Sequence, residues 1–341
     1  MTPLLRRTAI LLAVIVHAIL FAAPWIAPYD PSVQHRDAPL RPPTTIHIVD
    51  AEGRWHGRRF VCAQAAEPGT VASVREECSV TFPIRALVRR SAHVGFLTRT
   101  ATHLFGVDEP GQLFLLGTDE FGRDVFSRLL VGARISIVMA VSAAALAIAL
   151  ALVGGSVAGY AGGVADSVLS AITEIVLALP WLYLILAVRA ALPLVLTPGQ
   201  AMVLIVLLLG GIGWARPGRL VRAAVASTRT HDYVAAARTA GASTPYVLRR
   251  HVWPELSGLL ATAALILVRQ FVMAETTLSL FGLGIPEPTP SWGTMLAAAL
   301  RPQVLTETWW LLAPVAGLVG VCVMYYVLDR ALRPAPRHER I

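Results

Sequence analysis

The sequence predicts an all-α polytopic membrane protein with six transmembrane helices and one long extracytoplasmic loop in which β-structure is expected. Three observations carry this prediction. Apolar residues make up 55% of the 341 residues, and the mean hydropathy is +0.63, a composition that soluble domains seldom reach. The apolar residues are also gathered into long runs, several near the 20 or so residues that cross a bilayer core as a helix.

Six apolar runs are candidate transmembrane helices. The first follows Arg6 and Arg7 and has the charged start of a signal peptide, but its apolar run is long and no small-residue cleavage site closes it. An uncleaved first span is therefore predicted. Gly155 and Gly159 form a GxxxG pair in the second run, which allows close helix packing. The predicted spans cover residues 8–28, 135–160, 168–192, 201–214, 259–281 and 309–328.

The arginines predict the orientation of these spans. All 29 basic residues are arginine, and arginines that flank spans mark the cytoplasmic side. Arg6 and Arg7 place the N-terminus inside, and the basic tail of residues 331–341 places the C-terminus inside, so the number of spans is even. Segment 215–256 then also lies inside. The arginines at the C-terminal end are Arg330, Arg333, Arg337 and Arg340.

The net charge of +8 fits this membrane topology and contact with membrane lipid. Nucleic acid is not an expected partner, because the arginines are scattered and no aromatic pattern accompanies them. The protein is therefore predicted to be a multi-pass protein of the cell inner membrane with both termini in the cytoplasm.

The predicted extracytoplasmic loop, residues 31–131, is too long for a simple connector. Short β-branched stretches at 44–49 and 79–84 suggest a small β-rich subdomain. Cys62 and Cys78 lie in this loop and would pair in an oxidising compartment, which would stabilise it by roughly 3 kcal/mol in the chain-entropy model. The alternative is two free thiols.

No catalytic motif is evident in the sequence. The chain lacks lysine, so it cannot supply the lysine of a P-loop or of a Schiff-base enzyme, and its dispersed histidines predict no metal site. Charged residues inside predicted spans are costly and usually functional. Glu174, Arg269 and Glu275 are therefore candidates for lining a translocation path. The alternative is structural pairing within the helix bundle.

The segment between the fourth and fifth runs, residues 232–256, is rich in alanine and arginine. Asp232 is expected to cap a helix over the alanines that follow. Gly241 should end that helix, Pro245 should open a second one, and Pro254 should break the chain before the fifth span. Two short cytoplasmic helices result. They either present a smooth face to a partner protein or lie on the membrane as an ordinary amphipathic loop.

This segment resembles the cytoplasmic EAA loop of binding-protein-dependent ATP-binding cassette (ABC) importer permeases. The family pattern is Glu-Ala-Ala, three residues, Gly, nine residues, then hydrophobic-x-Leu-Pro. Ala235 stands where the family has Glu, and Trp253 stands where it has Leu. The stretches 116–136, 158–168 and 275–296 also resemble the oligopeptide, dipeptide and nickel branch, and its second permease subunit. The residues that match the loop pattern in register are Ala236, Ala237, Gly241 and Pro254.

The resemblance implies a type I ABC importer permease fold and a role as half of the translocation path for peptides or a similar small solute. The implied partners are a homologous permease in a heterodimer, two cytoplasmic ATPase subunits and an extracytoplasmic solute-binding protein. ATP and Mg²⁺ would bind the ATPase subunits, so this chain would hold no cofactor and would not be an enzyme. A self-sufficient secondary transporter or channel is the alternative, but it predicts an inverted repeat that the sequence does not display.

The same resemblance assigns residues to the two ends of the transport system. The residues of the coupling loop would be Asp232, Ala235, Ala236, Ala237, Arg238, Gly241, Ala242, Ser243 and Pro254. The residues that contact the binding protein would be Pro288, Pro290, Ser291 and Trp292. The predicted domains are 1–30 (N-terminus and first span), 31–131 (outer loop), 132–330 (type-1 permease domain) and 331–341 (cytoplasmic tail).

Overall fold

The computed structural model describes residues 3–50, 53–66, 74–94, 99–193, 195–300 and 306–332. The predicted basic tail therefore lies outside the described residues from position 333 onward, including Arg333, Arg337 and Arg340. The helices are α1 (Pro3–Phe21), α2 (Ala23–Ile26), α3 (Val125–Ala161), α4 (Gly163–Ala178), α5 (Trp181–Ala191), α6 (Pro198–Gly213), α7 (Ala215–Thr228), α8 (Asp232–Thr239), α9 (Thr244–Val247), α10 (Trp253–Leu280), α11 (Trp292–Ala299) and α12 (Ala313–Leu332).

A π-helical turn (Leu248–Val252) joins α9 to α10, and a 3₁₀ turn (Trp309–Leu312) precedes α12. The strands are β1 (His47–Val49), β2 (Trp55–Ala66), β3 (Val74–Pro83), β4 (Arg85–Val94) and β5 (Arg99–Gly106).

The described residues contain four helices long and apolar enough to cross a membrane, and up to six spans if each of two bent helix pairs counts as one. The four are Leu4–Phe21, Val125–Ala161, Thr244–Leu280 and Trp309–Leu332. The prediction of several membrane-spanning helices agrees with this finding.

The third predicted span is not one straight helix. It consists of α4 and α5, which meet at 92°. Pro180 explains the bend, because a proline disfavours helical geometry in the residue before it, and Leu179 is extended at φ −84° and ψ 141°. The fourth predicted span, α6, continues into α7 with a bend of 42°.

The chain divides into two compact units. The helical unit comprises Met1–Ala13, Ile137–Leu278 and Val321–Ile341, and the mixed unit comprises Val14–Ser136 and Ser279–Gly320. In the helical unit, α3 and α7 approach closely at the predicted GxxxG pair. A Cβ built on Gly155 would lie 2.6 Å from Gly218 O, and one on Gly159 would lie 2.5 Å from Arg222 O. These glycines are therefore required for the contact.

The mixed unit contains the strands. β1, β2 and β3 form an antiparallel sheet in that order, and β4 and β5 form a separate two-stranded antiparallel sheet. A core around Trp310 packs Val125, Met295 and Leu311 together. The Trp310 indole N–H also donates to Thr118 O over 3.0 Å, so a buried donor is satisfied where the loop enters α3.

Candidate functional site

The alanine-rich segment begins with α8, whose start differs from the prediction. The N-cap is the extended residue His231, and no side chain caps the helix. Asp232 is therefore the first helical residue and not the cap, which corrects its predicted role. An acidic side chain in the first turn still stabilises a helix through the helix dipole.

The end of α8 is a Schellman motif centred on Gly241, as the sequence predicts for a helix stop. Gly241 has φ +83°, a left-handed conformation that glycine adopts without steric cost. Its N–H donates to Arg238 O over 2.9 Å, and the Ala242 N–H donates to Ala237 O over 3.0 Å. Pro245 lies in the first turn of α9, so the predicted helix stop at Gly241 and the predicted helix start at Pro245 are confirmed.

Pro254 does not break the chain, and that prediction is wrong. The helical path from Thr244 runs through the π-helical turn into α10 and ends at Leu280. Pro254 lies in the first turn of α10, directly after the π-helical turn, where the missing N–H of a proline is tolerated. One continuous helical path therefore connects α9 to a candidate membrane span.

Buried valines anchor the two short helices to the helical unit. Val234 of α8, Val247 of α9 and Val252 of the π-helical turn are buried against Val221 and Val225 of α7. Burying an aliphatic side chain of this size contributes roughly 1.5–3 kcal/mol. The anchoring is therefore strong enough to fix both helices.

The outward side of this helix pair carries small residues, and we call it the small-residue surface. It comprises residues 235–243, of which Ala235, Ala236, Gly241 and Ser243 are exposed and Ala237 and Ala242 half-buried. Beside it lies an open concavity of about 570 Å³. The residues that line the concavity are Ala237, Ala240, Gly241, Ala242, Ser243, Tyr246 and His251.

The arginines of the segment are exposed, and one of them also contacts another residue of the chain. Arg238, although exposed, donates from Nε to the Tyr160 hydroxyl over 2.9 Å and lies 4.7 Å from the centre of that ring. Arg249 and Arg250 are exposed. The Tyr233 hydroxyl donates to Glu255 over 2.9 Å, and burial raises the pKa of Tyr233, with that carboxylate raising it further.

The three charges predicted to line a path have different surroundings. Glu174 on α4 is exposed, and Glu275 on α10 is fully buried. The Arg269 guanidinium lies 5.8 Å from the centre of the Tyr326 ring. A cavity of about 280 Å³ in the helical unit lies at the bend before Trp181, and the described residues that line it include none of these three charges.

A cluster of ion pairs in the mixed unit was not predicted. We call Asp119, Arg123, Arg128 and Glu287 the outer-loop network, after the predicted outer loop that contains the first three of them. Arg123 contacts Asp119 and Glu287, each over 2.7 Å, and Arg128 donates to Glu287 over 3.0 Å. The Arg128 side chain is only 2% exposed. These residues lie in two of the family-like stretches, 116–136 and 275–296.

Three of the four residues assigned to contact with a binding protein are buried, which corrects that prediction for them. Ser291 is the N-cap of α11, where its side chain accepts from the Thr294 N–H. Trp292 donates to Leu129 O over 3.2 Å. Pro290 is also buried, and Pro288 is exposed. Ser291 and Trp292 therefore contribute contacts that stabilise the mixed unit.

Cys62 and Cys78 form a disulfide between β2 and β3, with their Cα atoms 4.6 Å apart. His47 Nε2 lies 2.9 Å from a Glu76 carboxylate oxygen beside this bond. Burial raises the pKa of Glu76, but hydrogen bonds from Thr45, His47 and Gln64 oppose it and hold the pKa below its ordinary value.

The four long apolar helices define this chain as a multi-pass helical membrane protein. Residues 151–338 match the family described as binding-protein-dependent transport system inner membrane component. The chain belongs to this family.

Curated relatives extend the similarity beyond the matched region. The oligopeptide transport system permease protein OppC of Bacillus subtilis (strain 168) is 33% identical, over 69% of this chain and 75% of the relative. OppC of Escherichia coli (strain K12) is 37% identical, over 67% of this chain and 72% of the relative. The di/tripeptide transport system permease protein DppC of Pseudomonas aeruginosa (strain UCBPP-PA14) is 30% identical, over 92% of this chain and 79% of the relative. A chain of the MetNI methionine ABC transporter has a TM-score of 0.44 and 18% identity, covering 60% of this chain and 96% of that one.

Proposed function

We propose that this chain is the permease subunit of an ATP-driven importer that moves peptides across the cell inner membrane. Its family membership over residues 151–338 supports a role in binding-protein-dependent transport. The relatives described above are named as oligopeptide and di/tripeptide permeases, which supports peptides as the transported solute.

The observation that carries the coupling mechanism is the small-residue surface on an anchored helix pair. Small side chains allow another protein to approach the backbone closely, and the buried valines hold the pair in place. We propose that an ATPase subunit docks here, next to Gly241. The exposed Arg249 and Arg250 would then pair with acidic residues of that subunit.

The continuous helical path from Thr244 to Leu280 suggests how docking would move the membrane spans. A push on α9 would pass through the π-helical turn into α10, because helical segments move as rigid elements. This would support alternating access by rigid-body motion. ATP and Mg²⁺ would bind the ATPase subunits, and hydrolysis would occur there.

The full assembly in this proposal pairs the chain with a homologous permease, two ATPase subunits and an extracytoplasmic binding protein. Each bent helix pair would count as one span, which gives six spans in a type I permease fold with both termini in the cytoplasm. The strands of the mixed unit and their disulfide would then lie outside, where the exposed Pro288 is the remaining candidate for binding-protein contact.

A bulky residue on the small-residue surface tests this proposal. Ala236→Trp should abolish ATP-dependent uptake of a labelled peptide into vesicles that contain the co-expressed importer, and the ATPase should no longer co-purify with the chain. Ala297→Trp places the same side chain on an exposed alanine of α11 and should keep the ATPase bound. Normal uptake and ATPase retention in Ala236→Trp would contradict the docking site.

A further inference from the structure

The sheet of the mixed unit brings four side chains with metal-ligating atoms together. They are His47 of β1, Cys62 of β2, and Glu76 and Cys78 of β3. One ligand atom of each lies within 4.8 Å of those of the other three. The sequence places these residues up to 31 positions apart, so only the strand pairing reveals the group.

Strand alternation explains why these side chains share one face of the sheet. Glu76 and Cys78 are two residues apart on β3 and therefore point to the same side, while their neighbours Arg75 and Glu77 are exposed. His47 pairs with Phe60 in the register of β1 and β2. Phe60 is two residues before Cys62, which brings the His47 ring to the same face.

We propose that, when the Cys62–Cys78 disulfide is reduced, these four residues bind one zinc ion or a similar divalent cation. Two thiolates, one imidazole and one carboxylate are a suitable set for tetrahedral zinc. With metal–ligand distances of about 2.0 to 2.3 Å, tetrahedral neighbours are about 3.3 to 3.8 Å apart. His47 Nε2 and Glu76 Oε2, now 2.9 Å apart, would need to separate only slightly.

Neighbouring residues hold two of these ligands in orientation. Thr45 and Gln64 donate side-chain hydrogen bonds to the Glu76 carboxylate, and the His47 ring stacks on Phe60 with the ring centres 5.8 Å apart. Supporting contacts of this kind fix metal ligands and strengthen binding. Cys62 is buried, and the other three side chains are half-buried, so an ion could reach the site from solvent.

The metal and the disulfide are alternatives in this proposal. A dithiol reductant gives two electrons and two protons to the disulfide, which yields two cysteine thiols and the oxidised reductant. The cation then displaces one proton from each thiol as the thiolates bind it. The disulfide joins β2 to β3, whereas the metal would join β1, β2 and β3. The inference is independent of the transported solute and of ATPase docking.

Cobalt binding to the purified full-length chain tests the site. Cys322→Ser removes the remaining thiol, and dithiothreitol reduces the disulfide before its removal under nitrogen. The reduced chain should bind one Co²⁺ with a thiolate-to-cobalt charge-transfer absorption that excess Zn²⁺ removes. The oxidised chain should show no such absorption. No absorption in the reduced chain would overturn the proposal.

Variants separate a four-ligand site from simple binding to two thiols. His47→Ala and Glu76→Gln should each weaken Co²⁺ binding by at least about tenfold, whereas Glu77→Gln, on the opposite face of β3, should leave it unchanged. Each variant is then oxidised, and mass spectrometry measures whether the Cys62–Cys78 disulfide forms again. Its re-formation shows that the strands still pair in that variant. Unchanged affinity in both ligand variants that still re-form the disulfide would show that the thiols alone bind the metal, and would overturn the proposal.

Discussion

The small-residue surface and the outer-loop network both contain family-like residues, but the two regions differ in how those residues are buried. On the small-residue surface the family-like residues Ala236 and Gly241 are exposed and Ala237 is half-buried, and the buried contacts come from valines beside them. In the outer-loop network the family-like residues are charged, and Arg123 and Arg128 are buried. The family resemblance identifies both regions but does not distinguish them. Burial shows which residues are available to a partner and which residues stabilise the fold.

This difference predicts different consequences for substitution. Residues of the outer-loop network should act mainly on the stability of the mixed unit, because they contact one another. Residues of the small-residue surface should act mainly on partner binding because most of them are exposed, except Gly241, whose left-handed backbone also makes it important for stability. Four substitutions, from the largest expected effect to the smallest, sharpen or break this contrast.

Arg128→Met should have the largest effect on stability. Breaking a buried ion pair usually costs about 3–5 kcal/mol, but Glu287 is 46% exposed and Arg123 still contacts both acids. We therefore expect a loss of roughly 2–3 kcal/mol in the free energy of unfolding, measured by denaturant titration in detergent. Arg250→Met, at an exposed arginine, is the control. An equal loss in the free energy of unfolding in both variants would contradict a structural role for the network.

Gly241→Ala should cost about 1–2 kcal/mol of stability, because an alanine at φ +83° is strained. No atom outside Gly241 and its two chain neighbours lies within 4 Å of the added Cβ, so the effect would come from the backbone. Gly258→Ala is the matched control, since its Cβ also meets open space but the residue is helical. That control should stabilise α10 by roughly 0.5–1 kcal/mol. Equal changes in both variants would rule out backbone strain at Gly241.

Ser291→Ala should cost about 1 kcal/mol through loss of the α11 N-cap. The Thr294 amide, which donates to the Ser291 hydroxyl over 3.3 Å, should exchange its hydrogen faster. Ser257→Ala, at an exposed serine within α10, should show no such loss because alanine is the better helix former. Unchanged exchange at Thr294 would show that the cap contributes little.

Asp232→Asn should have the smallest effect. Its carboxylate is exposed and interacts with the α8 dipole rather than capping the helix. A slight decrease in the thermal midpoint at low salt should vanish near about 1 M salt, where such interactions are screened. A large, salt-independent decrease would instead indicate a capping role for this side chain.

The sequence predicted several apolar helices long enough to span a membrane, the helix stop at Gly241 and the helix start at Pro245, because these depend on local composition and backbone preference. It failed where the outcome depends on neighbouring geometry. Pro254 was expected to break the chain, but a π-helical turn places it at a tolerated position.

Long-range contacts were the other source of error. Arg123 and Glu287 are 164 residues apart, so the outer-loop network could not be predicted from residue spacing. Ser291 and Trp292 were expected to face a binding protein, yet contacts to α11 and to Leu129 bury them. Only the folded structure shows which polar residues of a loop are already engaged.

Site-directed crosslinking tests the central claim most directly. In a Cys322→Ser background, Ala236→Cys would be compared with Ala190→Cys, which also replaces an exposed alanine of the helical unit, in membranes containing the co-expressed ATPase subunits. The account predicts that a short bifunctional thiol reagent joins position 236, and not position 190, to an ATPase subunit. An ATPase that crosslinks to neither position, while remaining bound to the importer, would contradict docking on the small-residue surface.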